Sequence, residues 1–91
     1  MNNTDYMTRI EQAIRDRIHA DVLAVIQSET FDRSDYWERI YFVAWERPEQ
    51  CGTHRVNLDS NGEFMVESGN YQMDYAEAIR DAIERAGLVV K

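Results

Sequence analysis

The sequence predicts an α+β fold: a helix, a three-stranded antiparallel sheet and a second helix, with both helices on one face of the sheet. Three observations carry this expectation. Apolar residues recur every three or four positions early in the chain, alternate every second position through its middle, and return to the helical spacing near the end. With 91 residues, the chain suits a single α+β domain, 1–91, with one modest core.

Met7, Ile10, Ile14, Ile18, Val22 and Ile26, with Ala13 and Val25 beside them, outline the first helix. Thr4 or Thr8 is placed to cap it, Thr8 with Glu11 matches a capping box, and Asp5 suits the positive end of the helix dipole. The spacing carries the helix to about Ser28, although VLAVIQSETF is rich enough in β-branched residues to be a strand. ETFDRSDYWE, residues 29–38, is polar and reads as a connection.

RIYFVAWER reads as a strand that Pro48 ends. Ile40, Phe42 and Ala44 make one apolar face and Tyr41, Val43 and Trp45 the other, which is the pattern of a central strand or one covered on both sides. Residues 53–58 and 63–67 alternate as two further strands. Between them a three-residue loop, Ser60-Asn61-Gly62, sets Leu58 opposite Phe64 and Val56 opposite Val66, so that the apolar faces stay together and Gly62 takes the left-handed position.

The last helix has Asp74 as its cap, with Glu77 three residues on, and an apolar stripe of Ala76, Ile79, Ala82, Ile83 and Ala86. Gly87 stands where a left-handed end belongs, with Leu88 as its apolar clasp. Two helices on one face leave the other partly open, with Tyr41, Val43 and Trp45 looking out. That patch is expected to be a second interface, covered by the 29–38 connection with its Tyr36 and Trp37, or by another chain.

Charge narrows the function. Seventeen acids against ten Lys and Arg give a net charge of −7 and a pI of about 4.7. Such a field opposes direct binding of nucleic acid or of an anionic membrane and favours a cationic protein surface. One cysteine, Cys51, and the lack of a signal peptide at the start fit a cytoplasmic protein.

Asp59, Glu63, Glu67, Asp74, Glu77, Asp81 and Glu84 face a single base, Arg80, between residues 59 and 84, which makes −6 there and −1 elsewhere. These acids, with Tyr71 and Tyr75 as anchors, are the candidate partner-binding residues, and the polar positions are expected to accept lysine at Glu67, Glu77, Asp81 and Glu84 without loss of the fold. Asp59-Ser60-Asn61-Gly62 fails as a calcium loop, because its Gly is fourth rather than sixth. Cys51-x-x-His54 offers two soft-metal ligands where a closed zinc site needs four. No phosphate cradle or nucleophile elbow is present. The expectation is no enzyme, no catalytic residue, no metal and no cofactor.

The segment EFMVESGNYQMDYAEAI, a strand running through Ser-Gly into a polar aromatic turn and an acidic helix, resembles the style of small, acidic, single-domain phage-encoded anti-CRISPR proteins. The resemblance covers roughly residues 59–86. It implies a phage inhibitor acting in the host cytoplasm as a DNA mimic. Its carboxylates would stand where DNA carries phosphates and occlude a basic channel of a CRISPR effector complex. The alternative expectation is a small homo-oligomeric or adaptor protein, a homodimer included, that uses the open sheet face while the acids serve solubility.

Overall fold

The computed structural model describes residues 3–28 and 37–87. Six elements follow in order: α1 (Asn3–Ile18), β1 (Asp21–Gln27), β2 (Arg39–Glu46), β3 (Cys51–Leu58), β4 (Phe64–Met73) and α2 (Tyr75–Arg85). The strands form one antiparallel meander in the order β1-β2-β3-β4.

This corrects the expected three-stranded sheet: Asp21–Gln27 is a fourth strand, not the end of the first helix. The helix stops because His19 takes a left-handed backbone, φ 57°, and the Arg47 side chain satisfies the free carbonyl of Ile18, its Nε at 2.9 Å and its Nη2 closer still. Beyond it, Val22 to Ile26 are apolar on both faces and half-buried. A run that is apolar at every position satisfies helical and strand spacing alike, so the spacing of Ile18, Val22 and Ile26 carried no information about which formed. α1 begins at Asn3, which puts Thr8 and Glu11 inside the helix rather than at a cap; the side chain of Thr4 lies outside the described residues.

The helices also lie on opposite faces of the sheet, not on one. Ile10, Ile14 and Ile18 of α1 pack on Tyr41, Val43, Trp45 and Val56. Ala78, Ala82 and Ala86 of α2 pack on Ile40, Phe42 and Ala44. β2 is buried from Ile40 to Trp45, as its two apolar faces require. A sheet with two such faces has to cover both, at about 1.5–3 kcal/mol for each large apolar side chain buried. The face expected to be open is therefore closed by α1: Tyr41 is 5% exposed, and Val43 and Trp45 are fully buried. Trp37 packs on the α2 side, while Tyr36 lies outside the described residues.

The β3–β4 turn forms as its pattern dictates. Leu58 pairs with Phe64 and Val56 with Val66, Asp59 and Glu63 close a three-residue loop, and Gly62 has φ 82°. Arg9 of α1 donates to the Gly62 carbonyl at 2.5 Å and lies 4.8 Å above the Phe64 ring, which ties the helix to this hairpin.

α2 starts at the expected capping box, with the Asp74 carboxylate accepting from the Glu77 amide at 2.8 Å. Its buried stripe is Ala78, Ala82 and Ala86, with Ile79 beside it, while Ala76 is exposed. Gly87 is left-handed at φ 83°; Leu88 lies outside the described residues.

Candidate functional site

Ser68 and Gln72, neither of them glycine, take left-handed backbone in β4, with φ 55° and 60°. Such residues cost roughly 1 kcal/mol or more each and mark places where the chain is made to turn against its preference. Here they accompany two one-residue bulges. Arg55 pairs with Glu67, Thr53 with Asn70 and Cys51 with Met73, so β4 spends three residues on each two of β3.

The first bulge changes which way Tyr71 faces. Glu67 lies on the α2 face, bonded to Asn57, and strict alternation would put Tyr71 there as well. With one residue inserted, Asn70 faces α2, where it bonds Asp81, and Tyr71 turns to the α1 face against Trp45 and His54.

Those three side chains form a chain of hydrogen bonds. The Trp45 indole donates to His54 Nδ1 at 2.9 Å. Indole can only donate, so Nδ1 is the acceptor and the neutral ring carries its proton on Nε2. Nε2–H then donates to the Tyr71 hydroxyl oxygen at 3.1 Å. This leaves the Tyr71 proton for an acceptor outside. His54 is only 4% exposed, and burial, helped by the Arg85 and Arg47 charges, lowers its pKa to about 4. Gly69 makes the approach possible: a Cβ there would stand 2.3 Å from His54 Nε2. Above the chain the Arg47 guanidinium lies 5.0 Å from the Trp45 ring.

Tyr71 is 48% exposed and Tyr75, in the first turn of α2, 60%. At the same end of the sheet the fold gathers carboxylates from two places. Asp74 and Glu77 are exposed at the start of α2, held in the capping box. Glu46 and Glu49 are exposed on the β2–β3 turn, which register brings alongside: Glu46 pairs with Cys51, Cys51 with Met73, and the Gln50 side chain accepts from the Gln72 amide at 2.7 Å. Burial first, then the Glu46 and Asp74 charges, pushes the Cys51 thiol up. Glu49, Gln50, Gln72 and Met73 line a shallow cleft between the two segments.

The seven expected acids are thus not one surface. Asp59 shapes the hairpin turn, its Oδ1 accepting from the Asn61 and Glu63 amides at 2.8 and 2.9 Å. Glu67 accepts from Asn57 at 2.7 Å and lies 3.6 Å from Arg55. Asp81 accepts from Thr53 at 2.5 Å and Asn70 at 3.1 Å, while Arg85 donates to Thr53 and to the Ser68 carbonyl. These two acids fasten the α2 side of the sheet. Glu63 is exposed at the hairpin turn and Glu84 late in α2. Only Asp74 and Glu77 share the end of the sheet with the tyrosines.

Glu46 and Glu49 were not among the residues the sequence singled out. Extending the Leu58–Phe64 pairing back along the hairpin brings Cys51 to the neighbourhood of Tyr71, so the register already pointed to that turn. Cys51 and His54 do not form a pair, because Cys51 packs on the α2 side and His54 on the α1 side.

No protein-family model matches the chain, and neither curated proteins nor solved structures give a match to it. No helix among the described residues is long and apolar enough to cross a membrane.

One end of the sheet thus carries two exposed tyrosines, one of them held by a buried histidine, four exposed carboxylates, and one arginine whose charge is engaged with a carbonyl and a ring.

Proposed function

We propose that this protein is a non-enzymatic binding protein that docks the acidic, tyrosine-bearing end of its sheet onto a cationic groove of a nucleic-acid-handling complex and blocks it by occlusion. The observation that carries this reading is Tyr71, half-exposed yet held through His54 to the buried Trp45, at the end of the sheet that also carries Tyr75 and the exposed Glu46, Glu49, Asp74 and Glu77. Tyrosine is enriched in the cores of interfaces, and a ring already held in place loses little freedom on binding. Lys and Arg of a partner can stack on such rings and pair with the carboxylates around them. The acidic field speeds encounter with a positive surface.

The resemblance to phage anti-CRISPR proteins supplies the first partner to try, the nucleic-acid channel of a CRISPR effector complex in the cytoplasm of a host cell. The test is binding to purified effector complexes on a biosensor at about 0.05 and 0.5 M salt. The wild type is compared with Tyr71→Ala/Tyr75→Ala and with Glu46→Lys/Glu49→Lys. Wild-type binding should weaken with salt, and both double variants should lose it. Failure of the wild type to bind any effector complex would sink the partner. Binding that ignores salt, or that both variants keep, would sink the surface.

A further inference from the structure

A four-stranded meander has two edges, and this molecule treats them differently. The β4 edge is interrupted by two bulges, two left-handed residues and the charged Glu67. Features of this kind make an edge unfit to receive another strand. β1 is unprotected by comparison. From Val22 to Ile26 it carries no charge and no proline, and after one irregularity between Val22 and Ala24 its register on β2 runs unbroken to Gln27. Among the described residues β2 is its only strand neighbour.

The groups on that edge can be assigned. The Ser28 amide bonds the Ile40 carbonyl at 2.8 Å, so residue 28 turns inward to β2. Inward and outward bonding alternate along an antiparallel strand. Ile26 and Ala24 therefore turn inward as well, and Val25 and Gln27 present their N–H and C=O groups to the outside.

We propose that β1 of a second copy of this chain pairs antiparallel with β1, about a two-fold axis at Ile26, to make a continuous eight-stranded sheet. This inference goes beyond the binding function proposed above and does not depend on it. In this register Val25 of each copy exchanges both backbone bonds with Gln27 of the other, and Ile26 faces Ile26. The faces also agree. Val25 and Gln27 pair with Val43 and Tyr41, on the α1 side, and Ile26 pairs with Phe42, on the α2 side. An axis at Ile26 uses only the regular part of the strand.

Charge favours a copy at this edge and not at the other. Seven acids and one base between residues 59 and 84 make −6, and Asp59, Glu63, Glu67 and Asp74 flank or lie on β4. Pairing through β4 would press two such fields together, whereas pairing through β1 puts the width of both sheets between them.

The test is the mass in solution by light scattering from low to high micromolar concentration, for the wild type and for Gln27→Pro. Proline at this exposed position removes an outward N–H, and proline is tolerated at an edge whose N–H faces solvent. The wild type should rise from 10.7 kDa towards twice that mass, and Gln27→Pro should stay at 10.7 kDa with an unchanged far-ultraviolet spectrum. Two residues facing each other across the axis in a non-bonded pair have Cα atoms about 4.5 Å apart, within disulfide reach. Cys51→Ser/Ile26→Cys should therefore oxidise to a covalent dimer, and Cys51→Ser/Asp21→Cys should not. A wild type that stays at 10.7 kDa throughout overturns the proposal. So does a Gln27→Pro variant as dimeric as the wild type, or a dimer that Ile26→Cys fails to lock.

Discussion

His54 is the residue on which the site turns. Its pKa falls from 6.5 in the unfolded chain to about 4 in the fold, because the ring is buried and the Arg85 and Arg47 charges lie near it. The unfolded chain therefore takes up a proton first as the pH drops. This contribution to stability is fully present above pH 6.5 and is lost as the pH falls towards 4. At about pH 5.5, before most carboxylates titrate, the loss should be about 1.4 kcal/mol, read as a lower urea midpoint than at neutral pH. An unchanged midpoint would show that the ring is not held neutral. Gly69 makes a second prediction. A methyl group at 2.3 Å from His54 Nε2 and 2.8 Å from the Tyr71 hydroxyl has no room, so Gly69→Ala should destabilise by about 1–3 kcal/mol. It should also move the Trp45 indole proton resonance, which a substitution elsewhere in the strand would leave in place.

At the scale of elements, the acids divide into those that build and those that remain on the surface. Asp81 closes a chain in which Arg85 donates to Thr53 and Thr53 donates to Asp81. Asp81→Lys would set an ammonium beside Arg85 and leave the fully buried Thr53 without its acceptor, and should cost about 1–3 kcal/mol in a denaturant titration. Glu84→Lys, on the exposed side of the same helix, should stay within about 0.5 kcal/mol. Asp74→Ala should cost about 1 kcal/mol through loss of the cap, with an unchanged denaturant slope. The expectation that lysine at all of Glu67, Glu77, Asp81 and Glu84 leaves the fold intact gives way here, since three of these acids accept hydrogen bonds. What could be read from the sequence was local. The capping box, the hairpin loop and its register, and the two apolar faces of β2 all depend on residues near one another in the chain. The face that α1 covers depends on where that helix ends, and the end is set by a left-handed His19 and by Arg47, which comes from a turn nearly thirty positions later. The bulges of β4 were hidden for a related reason: ESGNYQM reads as a turn because Ser, Gly and Asn favour one, while pairing with β3 keeps the segment extended.

For the whole molecule, the surface proposed for binding is the end where the β2–β3 turn meets the start of α2, and its charge should act at a distance even before contact. Glu46, Glu49, Asp74 and Glu77 share that end with Tyr71 and Tyr75, while Asp59 and Glu63 lie at the hairpin turn, the other end of β4. The most direct measurement needs no knowledge of the natural partner. An arginine-rich peptide is titrated into the isotope-labelled protein at low and at high salt, and the backbone amide resonances and the Trp45 indole resonance are followed. At low salt the shifts should concentrate on residues 46–50 and 71–77, include the Trp45 indole, and fade as salt screens the field. Shifts centred on Asp59 to Glu63, or spread evenly over every exposed acid, would contradict the proposed surface.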